Sequence, residues 1–394
     1  MGSVIVSAVR TPVGKFGSAL RTRSAVELGA VAVAEAVAHA GVEPANIDYV
    51  IMGHVLQAGA GQITARQVAI AAGIPREVPA LTINKVCLSG LTAVAVADQL
   101  IRAGEIEVAV AGGMESMSNA PYLLPQARWG ARMGDGGVVD AMVHDGLWST
   151  FTEQTMGESS DEVNEELAIS RADQDSWAAR SHRRAAVAWE SGRFSQEVVG
   201  VEIEGRRGDT SIVARDEGIR PRATFDSLQD LPPAFGTNGT ITVGNASQLS
   251  DGAAATIVMS AARAEELGVE PLAEIVSYGM SAERFGYLHT VPALALQTAL
   301  KKAGKDVHDL GLVEINEAFA SVALHSTRML GVDEEVVNVN GGSVALGHAI
   351  GSTGARLTVT LVHELRRRGV EYGAVTLCGG GGQGDALLLR SVQS

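Results

Sequence analysis

Short apolar runs alternate with amphipathic runs from the first residues of the chain. Strand-like runs, rich in Val, Ile and Ala, lie at 3–9, 48–53, 79–86 and 108–113. Helical spacing of apolar residues marks 24–41, 62–73 and the run after Cys87. Ser24 and Glu27 have the spacing of a capping box, and Gly41 is a typical helix stop. This alternation predicts βα units, with a mostly parallel sheet and helices packed on it.

The same order of elements recurs in the second half of the chain. Strand-like runs lie at 273–279, 310–316, 335–342, 372–380 and 384–392. Helix-like runs lie at 292–304, 317–331 and 354–369. Two copies of one βα pattern indicate a duplication, and they are too long to be solenoid repeats.

The stretch between the two copies differs from them in composition. Charge is denser across 119–248, and irregular segments rich in Gly and Pro interrupt it, so we predict an insertion that caps one face of the core. Residues 249–270 resemble the return strand and helix of the first half. We therefore predict a first core half (1–118 plus 249–270), an inserted domain (119–248) and a second core half (271–394).

Charge and cysteine usage narrow the possible partners. The formal net charge is −14 and the pI is near 5.1, whereas a protein that binds nucleic acid is expected to be basic. Two cysteines far apart in the sequence favour free thiols in a reducing compartment. The sequence shows no signal peptide pattern and no run of about 18 apolar residues. We expect a cytoplasmic protein with no nucleic acid or membrane partner.

Four reactive or polar residues follow predicted strands, at the sheet edge where open α/β sheets bind ligands. They are Cys87, Asn316, His348 and Cys378. Cys87 and His348 occupy corresponding positions in the two halves. The thiolate is the nucleophilic form of cysteine, a helix N-terminus lowers the pKa of a thiol, and an imidazole can take its proton. We therefore predict that Cys87 is a nucleophile and that His348 activates it.

Each of these residues also has an ordinary structural interpretation. A single buried cysteine is most often a small inert hydrophobe. The run GGGGQG at 379–384 fits a dinucleotide-binding spacing, but it leads into a strand rather than a helix. We interpret it instead as backbone N–H donors beside Cys378. Nine histidines form neither an H-E-x-x-H motif nor a Cys/His cluster, so no metal site is expected.

The chain resembles the thiolase family in four blocks that occur in order. NKVCLSG contains Cys87, and NEAFA begins at Asn316. GGSVALGHAIGSTGAR contains His348, and CGGGGQGDA begins at Cys378. The resemblance extends over essentially the whole chain. It implies the α/β thiolase fold, in which duplicated βα halves form a five-layer α/β/α/β/α core with an inserted loop domain.

The resemblance also implies a role for each of these residues. Cys87 would attack an acyl-CoA thioester, and Cys378 would remove an α-proton from a second acetyl-CoA. His348 would accept the Cys87 proton and donate to the enolate oxygen, with a water held by Asn316 as the second donor. The N–H groups of Cys87 and Gly380 would stabilise the tetrahedral oxyanion. CoA thioesters are then substrates, and neither a cofactor nor a metal is implied.

CoA contacts are implied at matching positions, most of them in the insertion. Arg220 is similar to the residue that meets the nucleotide end of CoA, although by itself it could be a solvated surface charge. Contacts in the CoA pockets and the tunnel are implied for Met156, Ser227, Phe235, Ser247, Ala318 and Phe319. The segment 115–135 resembles the oligomerisation loop of the tetrameric type, so we expect a homotetramer.

Three departures from the family pattern bear on the substrate. Thr155 precedes Met156 where many short-chain members have histidine. His289 and Val291 stand where small or rigid residues are usual, and Ala349 replaces a usual proline. The first two leave the preferred acyl-chain length open.

We expect an acyltransferase that joins two acetyl-CoA molecules to acetoacetyl-CoA and CoA, or reverses that step. The alternative within the family is a degradative 3-ketoacyl-CoA thiolase for broader or longer chains. A non-catalytic acyl-CoA or lipid carrier is disfavoured because both cysteines are present together with His348 and Asn316. A ketosynthase-type condensing enzyme is disfavoured because it would carry a second histidine in place of Asn316 and would lack Cys378.

Overall fold

The computed structural model describes residues 2–205 and 208–392. Its helices are α1 (Ala25–Ala40), α2 (Thr64–Ala71), α3 (Ser89–Ala103), α4 (Met156–Glu166), α5 (Arg171–Glu190), α6 (Phe225–Gln229), α7 (Ala261–Leu267), α8 (Val291–Ala303), α9 (Ala320–Leu330), α10 (Ser343–Leu346) and α11 (Thr353–Arg368). Its strands are β1 (Ser3–Arg10), β2 (Gly14–Lys15), β3 (Tyr49–Gly53), β4 (Ala80–Ile83), β5 (Val108–Ser116), β6 (Tyr122–Leu123), β7 (Val139–Asp140), β8 (Trp148–Ser149), β9 (Gln154–Thr155), β10 (Val201–Glu204), β11 (Thr210–Val213), β12 (Ser250–Ser260), β13 (Ala273–Ala282), β14 (Leu312–Ile315), β15 (Tyr372–Gly379) and β16 (Gln383–Ser391).

One long sheet runs through both halves of the core. Its strand order is β14-β15-β16-β13-β1-β12-β5-β3-β4, with β2 beside β12. The halves join where Ser3 pairs with Ile275 and Ile5 pairs with Ala273. Beyond these residues β1 continues to pair with β12 but not with β13. The ring of His363, in α11, bonds to the carbonyl oxygen of Ala8 at 2.8 Å, so α11 packs where β13 no longer pairs with β1.

The prediction of a mostly parallel sheet is wrong. Among the named strands of the described residues, parallel pairing is confined to β3 with β4 and β5, and to β14 with β15. The inner strands pair antiparallel. The turn at 380–382 that joins β15 to β16 is too short for a parallel crossover, which needs a dozen or more residues. The order of strands and helices therefore predicted the elements but not the direction of the returning strands.

Helices cover the sheet in layers. α1 and α2 pack on the outer face of the first half, and their apolar side chains form one buried cluster with β1, β3, β5 and β12. α3 and α11 lie between the halves, in a second cluster that draws on strands of both. α8 and α9 cover the outer face of the second half. This is the five-layer α/β/α/β/α arrangement that the resemblance implied.

Local signals in the sequence located several helix ends. The side chain of Ser24 accepts a hydrogen bond from the N–H of Glu27, and that of Glu27 bonds back to the N–H of Ser24, which completes the predicted capping box. Gly41 ends α1 with φ 63°, a left-handed conformation that glycine adopts without strain. Gly304 ends α8 in the same way, with φ 62°.

The predicted strand at 335–342 is absent from the described structure. Only Val337 forms a bridge, parallel to Val313 of β14. Asn338 has a positive φ of 47°, which ends any strand at that point. Its side-chain amide takes over the pairing, because it accepts from the N–H of Ile315 and donates to the carbonyl of Ile315, both at 2.8 Å. A side chain thus replaces the backbone of a strand, which the apolar pattern could not indicate.

The predicted insertion contains short hairpins and the helices α4, α5 and α6. α5 is fixed to the second half of the core through Glu317, whose carboxylate accepts from the indole N–H of Trp177 at 2.9 Å and from the hydroxyl of Ser181 at 2.8 Å. The boundaries at 118/119 and 248/249 stay a prediction.

Within the described residues, one helical segment is long and apolar enough to cross a membrane. It is 86–103, the turn before α3 and α3 itself, and 61% of it is buried inside the fold. A core helix passes the same test of length and composition, and α3 lies in the central layer.

The first turns of α3 and α11 approach each other through glycines. A Cβ on Gly354 would lie 2.4 Å from the backbone nitrogen of Leu91, and a Cβ on Gly90 would lie 2.9 Å from that of Ala355. Neither distance leaves room for a methyl group. The two helices that follow Cys87 and His348 therefore meet with backbone against backbone.

We expect Gly354→Ala to separate these two helix starts and to remove most of the activity. Overpacking of this kind typically costs about 1–3 kcal/mol of stability. The measurement is the thermal unfolding midpoint together with acyl-transfer activity. Gly286→Ala is the matched control, because a Cβ there would meet its neighbours at 3.6 Å or more. Equal behaviour of the two variants would contradict the close approach.

Candidate active site

Cys87 lies in a strained turn between β4 and α3. Val86, immediately before it, has φ 50°, which is unusual for a β-branched residue. The turn is held by side chains on both sides of the cysteine. The hydroxyl of Ser89 accepts from the N–H of Lys85 at 2.8 Å and donates to the carbonyl of Val86 at 2.6 Å. The amide oxygen of Asn84 accepts from the N–H of Val86 at 3.0 Å. The position of the sulfur is therefore set by backbone that cannot relax locally.

His348 lies in the corresponding loop of the second half, before α11. Its Nδ1 is 2.7 Å from the hydroxyl of Thr353. That hydroxyl donates its proton to the carbonyl of Ala349 at 2.9 Å, so it can only accept from the imidazole. The proton of neutral His348 is therefore on Nδ1, and its Nε2 carries a free lone pair.

The lone pair of His348 faces the cysteine. Nε2 is 3.3 Å from Sγ of Cys87, within the range for a hydrogen bond from a thiol. The side-chain nitrogen of Asn316 approaches the same Nε2 at 3.4 Å. Cys87 and His348, which occupy corresponding positions in the two halves, thus meet as an acid–base pair. Asn316 lies beside this pair.

Burial keeps this pair neutral. It raises the pKa of the Cys87 thiol to about 12, although the N–H groups of Cys87 and Gly380, which bond to the sulfur, act in the opposite direction. Burial also lowers the pKa of His348 to about 3, and the positive charge of Arg356 adds to this effect. The expectation that a helix N-terminus would lower the pKa of this thiol is wrong. The sulfur is buried and α3 begins only at Ser89, so desolvation outweighs the helix dipole.

Cys378 ends β15 and borders the same cavity. It is buried, and burial raises its pKa, as does the neighbouring Cys87. The turn that follows supplies Gly380, whose N–H points at the Cys87 sulfur. The glycine run therefore supplies an N–H donor to the site, in the role that the sequence predicted for it.

A cavity of about 510 Å³ connects these groups. Its lining includes the predicted residues Cys87, Met156, Arg220, Phe235, Ser247, Ala318, Phe319, His348, Cys378 and Gly380. Asn316 lies behind His348 rather than on the wall. Ser227 is not on this wall; it is exposed at the start of α6, where its hydroxyl donates to the carbonyl of Thr224. A CoA contact for Ser227 stays a prediction.

Arg220 is the charged residue on a wall that is otherwise mostly apolar. The N–H of Arg220 donates to Nδ1 of His182 at 3.1 Å, and its guanidinium reaches the carbonyl of Val243 at 3.4 Å. The described residues give Arg220 no carboxylate partner. It is therefore available to an anionic group.

Apolar wall residues were missed by sequence reasoning. They are Met117, Val143, Leu147, Leu249, Leu288 and Ile350. Residues of this kind look like ordinary core in a sequence, so no pattern separates them. Thr353, which fixes the proton on His348, was missed as well, and its only signal is that it follows the histidine by five residues at a helix start.

His289 and Val291, two residues that depart from the family pattern, are not on the cavity wall, although Val291 packs in one buried cluster with the wall residues Leu288, Phe319 and Cys378. His289 is buried, with Nε2 at 2.9 Å from the side-chain oxygen of Asn164 and 3.1 Å from the hydroxyl of Ser321. Val291 begins α8. Thr155, which caps the start of α4, lines the cavity. Leu288 lines the same cavity. Thr155, Met156 and Leu288 therefore border the cavity and His289 does not.

No group of three or more His, Cys, Asp or Glu side chains suited to a metal ion occurs in 2–205 or 208–392. The groups that can react are two thiols, one imidazole and backbone N–H donors. These define a class of enzyme that transfers acyl groups through a cysteine thioester, in a cavity between duplicated α/β halves.

Comparison with known proteins places the chain within that class. Residues 3–262 match the family model for the thiolase N-terminal domain, and residues 269–391 match that for the thiolase C-terminal domain. The chain therefore belongs to the thiolase family.

Individual relatives agree over nearly their full lengths. A probable acetyl-CoA acetyltransferase of Mycolicibacterium smegmatis is 54% identical over 98% of this chain and 100% of the relative. An acetyl-CoA acetyltransferase of Cupriavidus necator is 50% identical over 98% of each chain. The crystal structure of the Bacillus anthracis acetyl-CoA acetyltransferase matches with a TM-score of 0.97 and 43% identity, covering 99% of each chain.

The neutral state of the pair predicts how Cys87 reacts with iodoacetamide. Below the pKa of a thiol, the fraction present as thiolate increases about tenfold for each pH unit. Because the pKa of Cys87 is raised, its alkylation should accelerate throughout the range from about pH 6 to 10. The rate is measured by mass spectrometry of the Cys87 peptide, with Cys87→Ser as the unlabelled control. A rate that levels off near neutral pH would indicate a preformed thiolate–imidazolium pair and contradict the account.

Proposed function

We propose that this thiolase is an acetyl-CoA C-acetyltransferase, which joins two molecules of acetyl-CoA to acetoacetyl-CoA and CoA in a reversible Claisen condensation. The observation that carries the proposal is the 3.3 Å contact between Nε2 of His348 and Sγ of Cys87, in one cavity with Cys378. The names of the relatives support the choice of acetyl-CoA as the substrate.

The first half-reaction forms an acyl-enzyme. Sγ of Cys87 attacks the thioester carbonyl while its proton moves to Nε2 of His348, so no free thiolate has to exist beforehand. The N–H groups of Cys87 and Gly380 would receive the oxyanion, since both are close enough to the sulfur to lower the pKa of the thiol. Each such donor is typically worth about 2.7–4 kcal/mol of transition-state stabilisation. CoA then leaves and takes its proton from Cys378.

The second half-reaction makes the carbon–carbon bond. The Cys378 thiolate removes an α-proton from a second acetyl-CoA, and the enolate oxygen receives the proton-bearing Nε2 of His348. The enolate carbon attacks the acetyl group on Cys87, whose sulfur leaves and recovers its proton from His348. Both cysteines and the histidine return to their starting states, so the cycle balances with one CoA released. No redox partner is required, and we propose that the enzyme uses no cofactor besides its CoA thioester substrates.

CoA would enter past Arg220, whose charge suits a phosphate of the nucleotide end. Pantetheine would follow the apolar wall of Met156, Phe235 and Phe319 towards the sulfurs. A homotetramer is supported by large apolar side chains that are exposed in the segment after β5, notably Tyr122, Trp129 and Met133. Two free buried thiols support a reducing, cytoplasmic location.

Replacement of the second cysteine separates the two half-reactions. In Cys378→Ala we expect acetyl-CoA to acetylate Cys87 more slowly, with about one equivalent of CoA released after it takes its proton from water, while condensation stops because the base is missing. Intact-mass spectrometry and an assay for acetoacetyl-CoA measure the two steps. Cys87→Ser should do neither. Full condensation by Cys378→Ala would contradict the role of Cys378.

A degradative thiolase for longer chains is the second candidate, because the cavity wall is mostly apolar and Thr155, on that wall, stands where many short-chain members have histidine. The rate of thiolysis against 3-ketoacyl-CoA chain length distinguishes the two. We expect the four-carbon substrate to be cleaved fastest, since the relatives of this chain are named acetyl-CoA acetyltransferases. A rate that increases with chain length would favour the degradative enzyme.

A further inference from the structure

We propose that Ser343 and Arg356 are positioning residues for the condensation step, because together they fix the direction of the Asn316 amide. The inference rests on the proposed function and adds two residues to its machinery. Neither touches a reacting atom, and both act through Asn316.

The hydrogen bonds run in one direction through this chain. Nη2 of Arg356 is 2.9 Å from the hydroxyl oxygen of Ser343, and a guanidinium only donates, so one lone pair of that hydroxyl is occupied. The Ser343 hydroxyl donates its own proton to Oδ1 of Asn316, at 2.6 Å. Oδ1 is then committed to Ser343, and Nδ2 of Asn316 faces Nε2 of His348.

This direction matters when His348 carries the proton from Cys87. If the amide were reversed, Oδ1 of Asn316 would accept the Nε2 proton and hold it away from the enolate. With Nδ2 in that place, Asn316 cannot compete for the proton, and it contributes a donor of its own. The enolate oxygen then receives the Nε2–H of His348 directly, and Asn316, which lies behind His348, donates through a bound water.

Arg356 is placed at some energetic cost. It is 2% exposed, and its closest carboxylate oxygen, on Glu314, is 3.8 Å from Nη1. Nη1 has no hydrogen-bond partner among the described residues, and neither has Oε2 of Glu314. Burial opposes the charge of Arg356 and lowers its pKa, and the carboxylates of Glu314, Glu197 and Asp216 act in the opposite direction. The direct hydrogen bond of its Nη2 goes to Ser343. Thr353, three residues earlier on α11, fixes the proton on His348. One face of α11 therefore orients both side chains.

The two half-reactions separate this role from a purely structural one. In Ser343→Ala we expect the burst of CoA from Cys87 acetylation to stay within about twofold of wild type, because the acylation oxyanion uses backbone N–H groups. Condensation should fall about 100-fold, the usual effect of losing an oxyanion donor. Thr358→Val is the control, because it removes another buried hydroxyl of α11, bonded only to the carbonyl of Gly354, and should leave both steps unchanged.

A double-mutant cycle tests whether Ser343 acts through Asn316. Asn316→Ala should lower condensation by a similar factor, and adding Ser343→Ala to it should cost little more. Independent, multiplying losses would overturn the proposal, as would a Ser343→Ala enzyme that keeps full condensation or loses the burst to the same extent. If Ser343→Ala fails to fold, Arg356→Met takes its place in the cycle, with condensation expected to fall at least about tenfold and the burst retained.

The proposed function itself is judged on the wild-type enzyme. A wild-type protein that does not make acetoacetyl-CoA contradicts the acetyltransferase assignment. A wild-type protein that does so, beside an unaffected Ser343→Ala variant, contradicts only the role of Ser343 and Arg356.

Discussion

Backbone-to-backbone contact between the starts of α3 and α11 is the constraint on which the site depends. Cys87 and His348 come from different halves, and their side chains are short, so they can meet only if the two loops touch without side chains between them. Gly90 and Gly354 allow this contact. The carboxylate of Glu115 also holds the histidine loop against the first half of the core. It accepts the N–H of Val55 at 3.1 Å and that of Gly351, in the histidine loop, at 3.0 Å. The catalytic contact is thus a property of the core.

The same burial decides the chemistry. Burial keeps Cys87 as a thiol and His348 as a neutral imidazole, and the Thr353 hydroxyl leaves the free lone pair of the imidazole facing the sulfur. Negative charge therefore develops on the thioester oxygen only as the sulfur attacks. The N–H groups of Cys87 and Gly380 are the fixed donors proposed to receive it. Donors that do not reorganise are worth more in such a cavity than in water. The neutral thiol of the resting protein can therefore react slowly with alkylating reagents and still react rapidly with a thioester, which the fixed donors stabilise during attack.

The sequence predicted the elements and the reactive residues better than their surroundings. Cys87, His348 and Cys378 were accessible because strand ends in α/β folds collect at one edge, and Ser24 with Gly41 marked a helix by local chemistry. The direction of β12 and β16 was not accessible, since it depends on where a returning strand docks. Asn338, which replaces a strand by its side chain, and Thr353, Ser343 and Arg356, which act through hydrogen-bond direction, become visible only when atoms are placed. The raised pKa of the Cys87 thiol was not anticipated, because burial cannot be read from a helix start.

The central claim is that one acetyl group, attached to the first-half cysteine, lies between the donors and bases contributed by both halves. A crystal structure of the enzyme trapped after reaction with acetyl-CoA tests it most directly. The account predicts a thioester on Cys87, with the carbonyl oxygen within hydrogen-bond distance of the N–H groups of Cys87 and Gly380, and with the sulfur of Cys378 facing the acetyl group. An acetyl group on Cys378, or a carbonyl oxygen turned away from both N–H groups, would contradict it.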